Sequence, residues 1–166
     1  MKRRLLIIDA GRQLWRLETL RVETLAHDER EAYLTLHGEA LCQYVLRRDP
    51  SSLIVSRGPM AFLAGNKATV GYLSPLTGVP HYSFVGGQAA AQLFNLGLDA
   101  VVLSGQAQVD RYLVIAGRVP ELEVQFKAAD GLPDGQRAAF YHLVTSELLG
   151  NAAAGSVFSL GEGARH

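Results

Sequence analysis

The sequence predicts an α+β fold, two β-sheets with flanking helices in one domain over residues 1–166. Three observations carry this expectation. Strand candidates lie next to one another in the chain across tight turns, as antiparallel sheets require. Helices are expected near 28–36, 39–48, 87–96 and 134–149, from helical apolar spacing in the second and last, a capping pattern in the first and the glycine pair before the third. Two short, continuous apolar runs, Leu53-Ile54-Val55 and Ala100 to Leu103, have the composition of buried strands. No G-x-G-x-x-G follows any strand, and the order of elements does not suit a parallel Rossmann-type sheet.

Taken in order, Arg4 to Asp9 and Leu14 to Leu20 form the first hairpin around the turn Asp9-Ala10-Gly11-Arg12. Val22 to Leu25 continues the second strand or forms a third. Asp28 caps the first helix, with Glu31 three residues on in a capping-box spacing, and Gly38 breaks it. Leu41, Tyr44, Val45 and Arg48 at i, i+3, i+4 and i+7 predict the second helix. Arg47 and Arg48 suit its C-terminal dipole, and Asp49-Pro50 ends it. Leu53 to Val55 is the next strand, Gly58-Pro59 and Gly65-Asn66 are turns, and Ala68 to Leu73 is a strand running into Ser74-Pro75.

The stretch from Ser74 to Gly105 organises the chain. A Ser74-Pro75-Leu76-Thr77-Gly78 turn leads through a short extended run into a helix at Gly86-Gly87, and then into the buried strand from Ala100. After a polar loop, Tyr112 to Ala116 pairs across Gly117-Arg118-Val119-Pro120 with the alternating Leu122, Val124 and Phe126. Asp134 caps the last helix, whose stripe is Phe140, Val144 and Leu148, with Gly150 past its end. Val157 to Leu160 is a final short strand. The expected core is Leu53, Ile54, Val55, Leu93, Val101, Val102, Leu103, Val144 and Leu148.

Composition narrows the function classes. Sixteen Lys+Arg balance sixteen Asp+Glu, so no basic face for nucleic acid is expected. The apolar run Leu5 to Ile8 is too short for a signal peptide or a membrane span and reads as a first strand in a cytoplasmic protein. The single cysteine, Cys42, forms no internal disulfide and builds no multi-cysteine metal site or self-contained iron–sulfur cluster. Its apolar surroundings make it a buried structural thiol.

No residue earns a catalytic or metal-ligating role from spacing. The five histidines fall in no ligand pattern. His142 sits beside the last helix's apolar stripe, and His81 lies in the organising stretch. Ser74 and Thr77 have no base beside them, so their turn reads as structural. Gly86-Gly87 before a helix leave backbone N–H groups uncovered, which suits either an anion or close helix–strand packing.

Three pieces in series resemble the N-terminal domain of the aldehyde:ferredoxin oxidoreductase family of tungsten or molybdenum bis-pterin enzymes. They are Leu53-Ile-Val-Ser-Arg-Gly58-Pro59, Ser74-Pro-Leu-Thr-Gly78, and Gly86-Gly87 followed by a helix and Leu96-Gly-Leu-Asp-Ala-Val-Val-Leu-Ser-Gly105. Gly38 to Tyr44 is similar to the family's G-R-G-L-x-x-Y segment. The resemblance implies a base of two sheets that cradles the paired pterins, with the cluster cysteines supplied by later helical domains. It carries cofactor-binding positions onto Gly86, Gly87, Lys67, Ser74, Thr77 and Gly78.

This chain departs from the family at three anion-binding positions. Phe84 stands where the family has an Asn near the magnesium of the pterin phosphates. Lys67 stands in place of a pterin-binding Arg, and Glu39 reverses the charge of the Arg in G-R-G-L. The expectation is therefore a stand-alone homologue of that domain with a degraded pterin site, acting as a non-catalytic structural or interaction subunit that carries no cofactor by itself. The alternative is the pterin-cradling subunit of a split tungsten/molybdenum oxidoreductase. A third reading is an α+β domain alike in fold only. A face near Met60, Phe62, Leu63 and Phe84 is expected to meet a protein partner or a second copy.

Overall fold

The computed structural model describes residues 2–21, 36–62, 67–130 and 142. The expectations for Val22 to Leu25, the helix at 28–36, the turn at 65–66, Leu63, the helix at 134–149 with Val144 and Leu148, and the strand at 157–160 lie outside those residues. His142 is described, helical and exposed.

A six-stranded sheet runs in the order β2-β1-β6-β3-β4-β5. Its strands are β1 (Lys2–Asp9), β2 (Leu14–Arg21), β3 (Leu53–Arg57), β4 (Ala68–Leu73), β5 (Pro80–Val85) and β6 (Ala100–Ser104). The pair β1·β6 is parallel and every other pair is antiparallel. A second sheet is the hairpin of β7 (Arg111–Arg118) and β8 (Glu121–Ala128). Helix α1 covers Gly38–Leu46 and α2 covers Ala89–Leu96. This is the α+β architecture the sequence predicts.

Period-two alternation sends the central strands' side chains to two cores. Leu5 of β1, Ile54 of β3 and Ala100 and Val102 of β6 pack under Leu41, Cys42, Val45 and Leu46 of α1. Leu6, Ile8 and Val101 point the other way, onto Leu93 of α2, Leu98 and Leu122 of the second sheet. Burial on both faces explains why β1 and β6 read as unbroken apolar runs. Burying one such Leu or Ile fully stabilises by about 1.5–3 kcal/mol.

Of the expected core, Ile54, Leu93, Val101 and Val102 are buried, whereas Leu53, Val55 and Leu103 are half-buried. Leu53 pairs with Leu103 in the last rung of the β3·β6 ladder. Leu5, Leu6, Ile8, Leu41 and Leu98 complete the cores.

Two boundaries shift. The second helix ends at Leu46, which leaves Arg47 as C-cap and Arg48 outside, its guanidinium stacked 3.5 Å from the centre of the Tyr44 ring. The third helix starts at Ala89 rather than at the glycines. The extended run after Gly78 is β5, so Ser74 to Gly78 is the tip of a β4–β5 hairpin. The tip is closed by the Gly78 amide donating to the Ser74 carbonyl at 2.8 Å and the Ser74 amide to that of Val79 at 2.9 Å.

Helix α1 comes unusually near β4. A Cβ at Gly71 would lie 2.6 Å from Cys42 Cβ, so only glycine admits this approach. At the same end of the sheet as the start of α1, a buried ion pair ties three strands together. Arg57 Nη2 meets Asp99 Oδ1 at 2.6 Å, Arg57 Nε donates to the Leu98 carbonyl at 2.7 Å, and the Arg4 amide donates to Asp99 Oδ2 at 2.8 Å.

Candidate functional site

The residues singled out from the sequence fall at the two ends of the β4–β5 hairpin. Ser74, Thr77 and Gly78 form its tip, where the Thr77 amide donates to Ser74 Oγ at 3.3 Å. Leu76 there is 94% exposed. At the other end Ala68 pairs with Val85, so the same register carried one residue further sets the exposed Lys67 against Gly86. The six residues of β4 separate the two groups by about 20 Å, at roughly 3.3 Å per residue.

The Lys67–Gly86 end is the richer one, because α1 begins over it. Thr69 is buried and pairs with Phe84 across the strands, and Gly38 at the start of α1 packs on Thr69 Oγ1. Phe84 is 61% exposed. Glu39 follows in the first turn of α1 and is also exposed. One corner of the sheet thus gathers Gly38, Glu39, Lys67, Thr69, Phe84, Gly86 and Gly87. Gly87, at φ +81°, needs glycine for its backbone, and among the described residues nothing lies within 4 Å of the place a Cβ would take on Gly86 or Gly87. Both glycines are exposed, just before the start of α2. Gln88 caps that helix without a side-chain hydrogen bond.

Two side chains at this corner escape sequence reasoning. The Tyr82 hydroxyl and His37 Nδ1 are buried with no hydrogen-bond partner among the described residues. Burial raises the pKa of Tyr82, and the Glu39 carboxylate acts the same way. Burial lowers that of His37, and the nearby Arg3 adds to the effect. His37 is the N-cap residue of α1 but makes no side-chain cap bond, so no capping pattern marks it. Tyr82 is visible only once β5 is known to be a strand paired with β4.

Cys42 is fully buried, and burial pushes its thiol up to about 12, which keeps it protonated and inert. His81 stacks on Tyr72 with ring centres 5.9 Å apart. No cluster of His, Cys, Asp or Glu among the described residues could hold a metal ion. A cavity of about 160 Å³ between the β1–β2 turn and the β6–β7 loop, lined by Gly11, Gln13, Gln108 and Arg111, contains none of the expected site residues.

The apolar face expected near Met60, Phe62, Leu63 and Phe84 is divided by the pleat. Met60 and Phe62 are exposed in the turn after β3, and Phe62 lies against Phe94 of α2, ring centres 6.0 Å apart. Phe84 shares the α1 face of the sheet with Thr69 and Tyr82, because cross-strand partners and alternate residues lie on one face. No helix among the described residues is long and apolar enough to cross a membrane.

Comparison with known proteins agrees with this architecture. A model of the aldehyde ferredoxin oxidoreductase N-terminal domain matches residues 7–166. The structure is similar to a chain of the active site complex BamBC of benzoyl coenzyme A reductase, solved with 1,5-dienoyl-CoA. The TM-score is 0.69 at 21% sequence identity over 89% of this chain. This chain spans about a quarter of that one, 24% of its length. Among curated proteins nothing matches.

Proposed function

We propose, from the premise that this chain belongs to the aldehyde ferredoxin oxidoreductase N-terminal domain family, that it serves as a non-catalytic structural or interaction subunit whose pterin corner is degraded. The observation that carries this reading is the make-up of that corner. Glu39 sets a carboxylate, and Phe84 a phenyl ring, on the same face around Thr69. A bis-pterin brings phosphates and a bridging divalent ion. A carboxylate repels the phosphates, and a phenyl ring ligates no metal. Lys67 offers one point charge in place of a bidentate fork. The side chains at the corner therefore do not fit the group.

One observation favours the split-enzyme alternative, in which this chain cradles a tungsto- or molybdopterin for a partner subunit. Among the described residues the space beside Gly86 and Gly87 before α2 is open, and the exposed Lys67 lies opposite Gly86 in register, so an anion has room there.

Titration with inorganic pyrophosphate, followed by amide NMR, separates the two readings. The non-catalytic reading expects the Gly86, Gly87 and Gln88 amides to stay unmoved in the native chain and to shift once Glu39→Arg and Phe84→Asn are introduced together. Saturable shifts at these amides in the native chain would favour the split enzyme.

A further inference from the structure

We infer that the chain pairs with a second copy of itself through β5, antiparallel about a two-fold axis at Ser83, extending the six-stranded sheet into a continuous one of twice the width. This deepens the interaction-subunit reading and rests on it, naming the partner and the contact.

Strand β5 is the last in the sheet order among the described residues, none of which pairs with its outer side. Natural edge strands are blunted by charges, bulges or proline. The opposite edge, β2, follows that rule with Arg16, Glu18 and Arg21. Strand β5, Pro-His-Tyr-Ser-Phe-Val, carries no Asp, Glu, Lys or Arg, and its proline occupies the first position, where it costs the ladder least. Its pattern leaves four of six residues exposed, Phe84 among them.

The choice of a second copy follows from symmetry and charge. Two-fold pairing sets each residue near its own image or that of a neighbour, so a charged edge repels itself and an uncharged one does not. An axis perpendicular to the sheet keeps the two α1 faces on the same side, which restricts opposite residues to the same pleat. With Ser83 against Ser83 of the second copy, Tyr82 meets Phe84 of the second copy and Phe84 meets Tyr82, giving two aromatic pairs on the α1 face. His81 then meets Val85 on the other face. Aromatic cross-strand pairs are among the stabilising ones. A contact of six residues per side is small, so the dimer belongs with weak, reversible associations.

The test uses the purified chain. Sedimentation is expected to show a monomer–dimer equilibrium that moves with concentration. Ser83→Lys, which sets a charge against its own image on an exposed position, is expected to remove the dimer with an unchanged circular dichroism spectrum. Ser83→Cys gives a direct distance readout, because opposite residues in an antiparallel pair lie about 4.5–5.5 Å apart at Cα, within disulfide range. The native thiol, Cys42, is buried and does not compete. Oxidative cross-linking of Ser83→Cys should run about tenfold or more faster than that of an exposed control, Glu123→Cys, since paired thiols meet at a high effective concentration.

Equal cross-linking rates, or a dimer that survives Ser83→Lys, would overturn the assignment. A monomer at every concentration with its β5 amides protected from exchange would also overturn it, by showing the edge covered from within the same chain. Sedimentation and cross-linking read the β5 edge, whereas pyrophosphate shifts at the Gly86, Gly87 and Gln88 amides read the function proposal, so failure of one is distinguished from failure of the other.

Discussion

Replacing Asp99 with alanine probes the ion pair at the end of the sheet where α1 begins. Asp99 is 4% exposed and its carboxylate answers two groups, the Arg57 guanidinium at 2.6 Å and the Arg4 amide at 2.8 Å. Removing it leaves a cation in a site where the Arg57 side chain is 15% exposed, and orphans a backbone N–H. Breaking a buried pair from one side costs about 3–5 kcal/mol. Here Arg57 keeps its bond to the Leu98 carbonyl and its place 5.5 Å from the centre of the Phe94 ring, so the lower end, about 3 kcal/mol, is expected. For a chain of this length that lowers Tm by about 6–12 °C in a thermal melt. The double variant Arg57→Met with Asp99→Asn should recover much of the loss, because no charge is then left unpaired. A Tm drop no larger than that of an exposed ion pair, about 0–1 kcal/mol, would refute the reasoning and show that water reaches the pair.

Two further outcomes follow from α1 and its contact with β4. Gly71→Ala should destabilise by about 1–3 kcal/mol in urea titration, because the new Cβ lands on Cys42; Cys42→Ala should relieve part of that loss when the two are combined. The Cys42 thiol ionises at 9.0 in the exposed state and at about 12 in the fold, so the unfolded chain loses its proton first. The thiol should make stability fall with rising pH between those values by about 1.4 kcal/mol per pH unit, a contribution that Cys42→Ala removes while that of Tyr82 remains, and native protein should resist alkylation at neutral pH.

Much of this architecture is legible in the residues, for identifiable reasons. The β7–β8 hairpin is plain because Leu122, Val124 and Phe126 alternate with charged and polar neighbours, and local alternation needs no knowledge of the rest of the fold. Cys42 is recognisable as buried from its apolar helical neighbours. What escapes is set by long-range pairing. Asp99 and Arg57 are 42 residues apart, and nothing local marks either as the other's partner. The segment after Ser74-Pro-Leu-Thr-Gly78 has no strong period, so β5 and its register remain hidden. With them goes the fact that Phe84 and Phe62 point to different faces. For the same reason the sequence does not show that the six expected cofactor positions, spread from Lys67 to Gly87, divide between the two ends of one hairpin.

The central claim is that the corner built from Glu39, Phe84 and Lys67 no longer holds a pterin. It is tested most directly by purifying the chain from its native host and measuring tungsten, molybdenum and pterin per mole of protein, together with whatever chains travel with it. The account predicts tungsten and molybdenum far below stoichiometric and no pterin fluorescence after oxidation. Stoichiometric tungsten or molybdenum with pterin, retained through purification, would contradict it and establish the pterin-cradling alternative.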